Sequence, residues 1–277
     1  MVIGTTRKRA ALLVGAVAYS ANAVPIWEGI RDYFREGPVP MDFVLFSNYE
    51  RQVDQLLEGK IDIAWNTNLA WVRTTALTGG KCKALAMRDT DLAFRTVFVA
   101  RAGSGLGSIE SLKGRRIALG SKDSAQAAIL PIHFLQRSGL RSEQLTFLRF
   151  DSDVGKHGDT GASELDAVQA VMDDRADAAA IGITTWNSLR AGQLAPGALE
   201  AFWESPAYCH CNFTALDSLD PAGSEAWTEW LLKMNWDVPE HRRVMELEGL
   251  RRWVRPELEG YRSLFEAVNE QEVPLRW

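Results

Sequence analysis

The strongest constraint in the sequence is a regular alternation of short apolar segments with amphipathic ones over its first two thirds. The short segments have the apolar composition of buried strands, and the longer ones between them have the apolar periodicity of helices. This alternation predicts an α/β fold with a largely parallel sheet. The predicted strands are 11–19, 43–46, 61–65, 84–87, 96–101, 116–119, 146–150 and 178–182, and the predicted helices are 25–34, 50–57, 69–77, 124–138 and 164–172.

The last third of the chain is mainly helical. Proline residues stand before or at the starts of its predicted helices, where proline is well tolerated. Trp227 and Trp230 share an apolar face with Leu231 and Met234, at the spacing i, i+3, i+4 and i+7. We therefore predict a helical C-terminal segment whose tryptophans mostly pack in the core. The predicted helices are 222–235, 239–249 and 256–269.

Two stretches of the sequence resemble each other. Residues 53–64 align without gaps on residues 168–179, and each stretch reads as a helix end, a turn and a strand. Because the copies lie in different parts of the chain, the repeat predicts two similar α/β lobes with a ligand in the cleft between them. We expect the first lobe to contain residues 1–97 and 206–277, and the second lobe to contain residues 98–205.

The composition excludes several classes of protein. Hydrophobic residues make up 46% of the 277 residues, but no apolar run approaches the ~20 residues that a membrane-spanning helix needs. The formal net charge of -5 argues against a nucleic-acid partner, because binding to phosphate backbones needs clustered Lys and Arg. Three cysteines are too few for a disulfide scaffold and suit a reducing compartment.

The N-terminus allows two interpretations. Residues 1–23 have the order of a secretory signal, with a basic region around Lys8, an apolar region and small residues before a possible cleavage site at Ala23. The same apolar stretch can be a buried strand at 11–19, which cleavage after Ala23 would remove. We therefore predict that the segment is retained and the protein is cytoplasmic. A periplasmic location is the alternative if residues 1–23 are cleaved.

A set of motifs spread over residues 10–190 is similar to one known family. In the second predicted lobe the motifs run from Ser104 to Gly120 and on to Ser124, and in the first they include Gly59 and Asp62. Together they resemble the phosphate, phosphite and phosphonate substrate-binding proteins of ABC transporters. The other similar segments are 56–68, 130–131, 150–157 and 177–179.

The resemblance implies a type-II periplasmic-binding-protein fold, in which two α/β lobes joined by two hinge crossovers close on a small ligand. It implies a small-molecule ligand and, if the protein is exported, an ABC transporter permease as partner. In this family hydroxyl residues at the start of the helix after the Gly120 strand hold phosphonate oxygens, and Ser121 and Ser124 match that region. No cofactor is expected.

Polar side chains follow five of the predicted strands. Ligands of open α/β sheets meet the carboxyl ends of the strands, so these side chains are the candidate ligand-binding residues. Because most of these loops carry hydroxyl groups and two carry a lysine, we expect a small, oxygen-rich and anionic ligand. The candidates are Tyr19, Ser20, Asn22, Ser47, Tyr49, Asn66, Thr67, Ser121, Lys122, Ser124, Lys156, His157, Asp159 and Thr160.

Two of these candidates have a specific rationale. Ser124 stands where a helix follows a strand, so backbone N–H groups there can bind an anion, although a serine at this position also caps a helix without any ligand. His157 lies in a glycine-rich loop after Lys156, where it can donate to an anion, act as a general acid or base, bind a metal, or simply be solvated. A protonated His157 would make anion binding weaken as the pH rises through about 6.5.

The segment Cys209-His210-Cys211 has metal-binding residue types at an unusual spacing. Zinc sites commonly use cysteines two to four residues apart together with a second ligand pair, and no second pair is evident. We therefore predict no metal site. On a strand, Cys209 and Cys211 would share one face, in the core, and His210 would face the other side, toward the cleft.

The sequence contains none of the common catalytic or nucleotide-binding motifs. We predict a solute-binding protein that holds a phosphonate-like or phosphate-like oxyanion, or a carboxylate, in an interlobe cleft. The alternative is a cytoplasmic enzyme on the same fold, acting as a lyase, decarboxylase or dehydratase on a small organic acid, with His157 or His210 as its acid or base. A ligand sensor that presents its C-terminal helices to a partner is a third possibility.

Overall fold

The computed structural model describes residues 11–193 and 197–276. Strands and helices alternate through most of these residues, as predicted. The strands are β1 (Leu12–Val17), β2 (Met41–Phe46), β3 (Ile63–Asn66), β4 (Cys82–Ala84), β5 (Met87–Arg88), β6 (Thr96–Arg101), β7 (Arg116–Leu119), β8 (Thr146–Arg149), β9 (Ala178–Gly182), β10 (Leu199–Glu204), β11 (Asn212–Leu216) and β12 (Trp253–Val254). The helices are α1 (Ala23–Phe34), α2 (Tyr49–Leu57), α3 (Asn68–Thr78), α4 (Leu130–Arg137), α5 (Ala162–Met172), α6 (Ile183–Ser188), α7 (Pro221–Leu232), α8 (Pro239–Glu248) and α9 (Arg262–Glu270).

Two five-stranded sheets organise the chain. The first has the strand order β2-β1-β3-β11-β4, and the second has the order β8-β7-β9-β6-β10. In each sheet, in the order given, the first three strands are parallel to one another. The fourth strand, β11 or β6, is antiparallel to both of its neighbours. The predicted α/β fold with two lobes is confirmed, and we call the parts built on the two sheets the first and second lobes.

The internal repeat of the sequence corresponds to the same unit in each lobe. In the first lobe α2 leads into β3, and in the second α5 leads into β9. Asp62 and Asp177 stand just before these strands. The backbone N–H of Leu13 donates to Asp62 at 2.8 Å, and that of Arg116 donates to Asp177 at 2.7 Å. Each aspartate therefore ties its strand to the neighbouring parallel strand, β1 in the first lobe and β7 in the second.

The chain passes between the lobes twice, between β5 and β6 and between β10 and β11. The two crossovers pair with each other. Phe94 and Tyr208 exchange backbone hydrogen bonds of 2.9–3.0 Å, and the N–H of His210 donates to the carbonyl of Asp91 at 3.0 Å. The second sheet contains only the consecutive strands β6 to β10, whereas the first sheet takes β11 from beyond the second crossover, so only the first lobe is discontinuous in the chain.

The N-terminal apolar stretch forms β1, as predicted for residues 11–19. This strand lies between β2 and β3, and Val14, Ala16 and Val17 are fully buried. A chain that began after Ala23 would lack this inner strand. Residues 1–10 of the proposed signal segment lie outside the described residues.

Some element boundaries differ from the prediction. The predicted strand 84–87 is two short strands, because β4 joins the first sheet while β5 pairs with β12 in a separate ribbon. The predicted helix 124–138 opens with a π-helical turn, Ala125–Ile129, before α4. The prediction also missed β10, β11 and α6, whose sequences carry weak periodicity.

The C-terminal helices are distributed over both lobes. α8 packs against α1 of the first lobe, whereas α9 packs against α4 of the second lobe and α3 of the first. His133 on α4 lies 2.7 Å from the Glu270 carboxylate, and Gln271 donates to the Ile129 carbonyl at 2.8 Å. None of the helices in the described residues is long and apolar enough to span a membrane.

The core of the first lobe is built around Phe213 on β11. This side chain is fully buried, and the rings of Trp65, Trp227 and Trp253 lie 4.6, 5.0 and 5.4 Å from its ring. The tryptophans of the C-terminal segment therefore complete the core of a lobe whose sheet begins near the N-terminus.

We expect Phe213→Ala to lower the free energy of unfolding by about 3–5 kcal/mol, the usual cost of removing a buried aromatic ring. Leu258→Ala is the control, because that side chain is 57% exposed and should change stability by less than about 0.5 kcal/mol. Urea unfolding followed by tryptophan fluorescence and circular dichroism measures both. Equal effects of the two substitutions would contradict this account of the core.

Candidate functional site

A cavity of about 360 Å³ lies between the two lobes. Its first side consists of residues in or after strands of the first lobe and residues of the crossovers, and its second side consists of residues of the second lobe. The first side contains Tyr19, Trp65, Arg88, Phe94, His210 and Cys211, and the second contains Gln126, Gly158, Asp159, Thr160, Gly161, Glu164, Leu165, Thr184, Thr185 and Ser188.

Arg88 is held rigidly at the first side of the cavity. Its Nε and Nη2 donate to the two oxygens of Asp91 at 2.6 and 2.9 Å, and its Nη1 donates to the carbonyl and the carboxylate of Glu248 at 3.1 and 3.3 Å. The guanidinium also lies over the Trp65 ring, 5.3 Å from its centre. Burial alone would raise the pKa of Asp91, but Arg88 and His210 lower it to about 2.

Glu248 is the second carboxylate beside Arg88. Burial raises its pKa to about 7, because Arg88 only partly compensates for the lost hydration. The Tyr19 hydroxyl donates to Glu248 at 3.5 Å and lines the cavity. Burial and the negative charge of Glu248 raise the pKa of Tyr19, so its hydroxyl keeps its proton.

His210 connects this ion pair to the cavity. Its Nδ1 lies 3.5 Å from Asp91 and 3.0 Å from the Cys211 sulfur, and its ring stacks on Phe94 at 4.4 Å. Its Nε2 is buried and makes no hydrogen bond with the described residues. Because a buried polar atom without a partner is costly, this nitrogen is a candidate contact for a ligand.

The second side of the cavity carries carboxylates and hydroxyls. Gln126 donates to Glu164 at 3.0 Å, and the backbone N–H of Gly182 donates to the other oxygen of Glu164 at 2.8 Å. Burial raises the pKa of both Glu164 and Asp159. The side-chain oxygen of Gln126, Oε1, is buried and makes no hydrogen bond with the described residues, so it too can accept from a ligand.

Gly158 allows the loop before α5 to approach the helix that follows β7. Its φ is +83°, and an added Cβ would lie 2.5 Å from the Ser124 hydroxyl and 2.8 Å from the Gln126 amide nitrogen. Any other residue at this position would push the loop away from Gln126 and open the cavity.

The lobes also touch directly beside the cavity. Tyr49 donates to Asp159 across the cleft, its backbone N–H donates to the Gly155 carbonyl at 3.0 Å, and its ring stacks on His157 at 4.7 Å. The Nδ1 of His157 lies 2.6 Å from the Thr67 hydroxyl. We call these residues of both lobes the interlobe contact; it includes Tyr49, Thr67 and Arg73 of the first lobe and Asp123, Gly155, Lys156, His157 and Asp159 of the second.

The structure does not support a protonated His157. The side chain is fully buried, and burial together with the positive charge of Arg73 lowers its pKa well below 6.5. His157 is therefore neutral at pH 7 and does not line the cavity. The structure does not support a charged His157 as the anion donor that we expected, because a loop that reads as exposed in the sequence is covered by the other lobe.

The structure brings only part of the predicted set to the cavity. Four of the candidates, Tyr19, Asp159, Thr160 and His210, line it. Asn66, Ser121 and Ser124 are buried outside its lining, Tyr49, Thr67, Lys156 and His157 belong to the interlobe contact, and Ser20, Asn22, Ser47 and Lys122 are exposed on the surface.

Three of the buried hydroxyls have other partners. Ser121 is hydrogen-bonded to Asp153, and Ser124 accepts from the Ala127 N–H at 3.2 Å as the cap of the π-helical turn. Thr67 likewise accepts from the Ala70 N–H, at 3.2 Å, at the start of α3. The capping role considered for Ser124 is therefore present in the structure.

Sequence reasoning missed several residues of the cavity. Thr184 and Thr185 follow β9 at its carboxyl end, so the rule that found the other loops could have found them. This rule does not identify Arg88 or Glu164, because neither follows the carboxyl end of a predicted strand directly. Arg88 lies on the short strand β5 beside a crossover, and Glu164 lies on helix α5.

Two α/β lobes with the same strand order, two crossovers and a polar cavity between them define a solute-binding protein of the two-lobed periplasmic type. The chain belongs to the family of periplasmic phosphonate-binding proteins of ABC transporters. The family model described as "ABC transporter, phosphonate, periplasmic substrate-binding protein" matches residues 16–261. The resemblance seen in the sequence is thereby confirmed.

Individual relatives agree with this assignment. The probable phosphite-binding protein PhnD1 of Prochlorococcus marinus (strain MIT 9301) is 24% identical over 239 residues, which cover 82% of this chain and 77% of that protein. A structure of PhnD1 in complex with methylphosphonate has a TM-score of 0.73 at 20% identity and covers 95% of this chain and 98% of that one. XAC2383 from Xanthomonas citri bound to ATP has a TM-score of 0.74 at 16% identity, with coverage of 95% and 98%.

The family bears on three predictions. It confirms the prediction of a solute-binding protein, and it does not favour the alternative of an enzyme. It implies a small-molecule ligand and a transporter partner. Because its members are periplasmic proteins, it favours the periplasmic alternative over the cytoplasmic location that we predicted.

We expect the stability of the protein to fall between pH 5 and pH 8 because of Glu248. Its pKa is about 7 in the folded protein against an ordinary value of 4.5, so the folded state binds the proton more tightly. This contribution is fully present below pH 4.5 and is lost as the pH rises through 7, and it amounts to about 3 kcal/mol.

Urea unfolding at a series of pH values tests this expectation. Glu248→Gln should make the decline between pH 5 and pH 8 smaller by about 3 kcal/mol, the remainder coming from other buried carboxylates with raised pKa values such as Asp159 and Glu164, whereas Glu246→Gln, an exposed glutamate on the same helix, should leave it in place. A Glu248→Gln profile parallel to that of the wild type would show that another group causes the decline.

Proposed function

We propose that the protein binds, without changing it, a small organic oxyanion of the phosphonate class that also carries an ammonium group. The excess of carboxylates over cations around the cavity is the observation that carries this proposal. Among the described residues that line the cavity, Arg88 is the only Lys or Arg, whereas Asp159 and Glu164 are both acidic. A ligand that is only an anion would meet more negative than positive charge there.

The charge of Arg88 is already largely compensated. Asp91 binds it through two hydrogen bonds, and Glu248 lies 3.3 Å away. A ligand oxyanion at this side therefore gains more from hydrogen bonds than from net charge, and the groups that can supply them are His210 Nε2 and a Tyr19 hydroxyl that turns from Glu248 to the ligand. Its positive group has to lie elsewhere for binding to be favourable overall.

The second side of the cavity suits such a positive group. Asp159 and Glu164 supply negative charge, and the buried side-chain oxygen Oε1 of Gln126 can accept a hydrogen bond. Ammonium groups donate three hydrogen bonds and accept none, so acceptors of this kind match them. Hydroxyls of Thr184 and Thr185 can serve either end of the ligand.

The wild-type protein should bind 2-aminoethylphosphonate at least tenfold more tightly than methylphosphonate in isothermal titration calorimetry. Asp159→Asn should reduce this preference to threefold or less, because it removes one of the carboxylates that face the ammonium group. A charge-assisted hydrogen bond contributes about 1.5–3 kcal/mol, which corresponds to roughly tenfold or more in affinity.

Asp54→Asn is the matched control. It makes the same change of charge at an exposed position of α2 outside the cavity lining, so the preference should remain. Equal affinity of the wild type for the two phosphonates would refute the ammonium part of the proposal, and absence of binding to either would refute the phosphonate part.

We propose further that the protein acts in the periplasm and delivers its ligand to an ABC transporter permease. The family description supports this location. The lobes that would close on the ligand are residues 1–97 with 206–277 and residues 98–205. The packing of α9 against α4 connects them outside the two crossovers.

The intact mass of the protein recovered from its native host tests the location together with the role of β1. We expect a mature chain that retains Leu12–Val17, because removing this inner strand would expose both neighbouring strands of the first sheet. Cell fractionation should place this chain in the periplasm. A mature chain starting at Val24 would contradict the assignment of β1, and recovery from the cytoplasm alone would contradict export.

A further inference from the structure

We infer, on the basis of the proposed oxyanion ligand, that Glu248 sets the affinity of the cavity by taking up a proton from the solvent when the ligand binds. Glu248 ends α8 in the first lobe and does not line the cavity. Its carboxylate contacts two side chains that do, Arg88 and Tyr19. Glu248 is therefore a positioning residue, which acts on the ligand through these neighbours.

The Glu248 carboxylate is buried and loosely held. Its Oε1 accepts from Nη1 of Arg88 at 3.3 Å, and its Oε2 accepts from the Tyr19 hydroxyl at 3.5 Å. Charge-assisted hydrogen bonds are typically about 2.5–2.9 Å long, so both contacts are weak. Because the side chain is only 3% exposed, water does little to stabilise its charged form.

The end of α8 also disfavours a negative charge on Glu248. The last carbonyl groups of a helix carry a partial negative charge, which a basic side chain in the last turn can offset. The last turn of α8 has no basic residue. The backbone carbonyl of Glu248 instead accepts from Nη1 of Arg88 at 3.1 Å. One guanidinium nitrogen therefore serves both the helix end and the carboxylate.

More negative than positive charge surrounds Glu248. Arg88 is the one cation among the titratable and charged groups of the described residues that face it, and both oxygens of Asp91 already bind this cation. Burial, with smaller contributions from Asp91 and Asp159, raises the pKa of Glu248 to about 7, so the group changes its charge near neutral pH. The facing groups are Tyr19, Arg88, Asp91, Asp159 and Cys211.

An oxyanion at the first side of the cavity would add another negative charge near Glu248. Together, Arg88, Asp91 and an ionised Glu248 carry one net negative charge, whereas the same cluster with a protonated Glu248 is neutral. Protonation and oxyanion binding therefore favour each other by the same factor. The affinity should be highest below pH 7 and fall as the pH rises above it.

The other two carboxylates of the cavity respond in the opposite sense. Asp159 and Glu164 face the proposed ammonium group, whose positive charge favours their ionised forms. Ligand binding should make them release protons. Proton uptake on binding is therefore specific to a carboxylate on the oxyanion side.

Protonation of Glu248 also reverses one hydrogen bond. The proton from the solvent adds to Oε2, and the new O–H donates to the Tyr19 oxygen. Burial raises the pKa of Tyr19, so this residue keeps its own proton. Its O–H is then free to donate to the ligand, and no other bond is made or broken.

Isothermal titration calorimetry with 2-aminoethylphosphonate at pH 7.5, in two buffers of different ionisation enthalpy, measures the protons taken up. The wild type should take up about half a proton more per ligand than Glu248→Gln. This variant is neutral at every pH and mimics the protonated form, so at pH 8 it should bind at least about threefold more tightly than the wild type, an advantage that disappears by pH 6.

Glu246→Gln is the matched control, because Glu246 is an exposed glutamate on the same helix. It should match the wild type in affinity and in proton uptake at each pH. Circular dichroism and thermal unfolding check that every variant is folded.

Tyr19→Phe tests the reversed hydrogen bond independently of any change at Glu248. The Tyr19 hydroxyl is free for the ligand only when Glu248 is protonated. The substitution should therefore weaken binding at least fivefold at pH 6 and by twofold or less at pH 8. Equal losses at the two pH values would contradict the reversal.

The outcomes separate the role of Glu248 from the proposed ligand. A merely structural role would make Glu248→Gln bind more weakly at every pH. That result, or equal proton uptake by the wild type and this variant, would overturn the role of Glu248 and leave the ligand proposal in place. Absence of phosphonate binding by the wild type would overturn both.

Discussion

The ion pair between Arg88 and Asp91 is the interaction on which the rest of this molecule depends. Arg88 ends the last strand before the first crossover, and Asp91 lies on that crossover. The Asp91 backbone accepts from His210 on the second crossover, and its side chain lies beside the His210 ring. The pair therefore ties both connections between the lobes to one point. Removing one partner would leave a buried charge, which costs on the order of 3–5 kcal/mol.

The same ion pair sets the chemistry of the first side of the cavity. It orients His210 and occupies most of the hydrogen-bonding capacity of Arg88. A guanidinium bound in this way cannot act as a free clamp for an oxyanion. With Asp159 and Glu164 on the opposite side, the cavity favours ligands that carry both signs of charge over simple anions.

Closure of the lobes buries groups that would be solvated in an open cleft. His157 becomes neutral against Arg73, Tyr49 bonds to Asp159, and the carboxylates of Glu50 and Asp123 approach each other. Hydrogen bonds and ring stacking compensate for the burial of His157, Tyr49 and Asp159. The approach of Glu50 and Asp123 leaves one oxygen of each carboxylate without a partner among the described residues. This imbalance distinguishes the interlobe contact from a simple packing surface.

The sequence by itself determined the local elements and the two-lobed plan. Strand and helix periodicities are local properties, and the repeat of residues 53–64 in residues 168–179 reflects the same helix–strand unit built twice. The cavity was predictable only where its residues follow strands, as Tyr19 and Asp159 show, because the carboxyl ends of parallel strands have a known common edge. Arg88 and Glu248 are 160 residues apart in the chain, and no local pattern relates them. Their pairing, the neutral state of His157 and the meeting of Glu50 with Asp123 were decided only by the tertiary structure, because charge and burial depend on which surfaces the two lobes bring together.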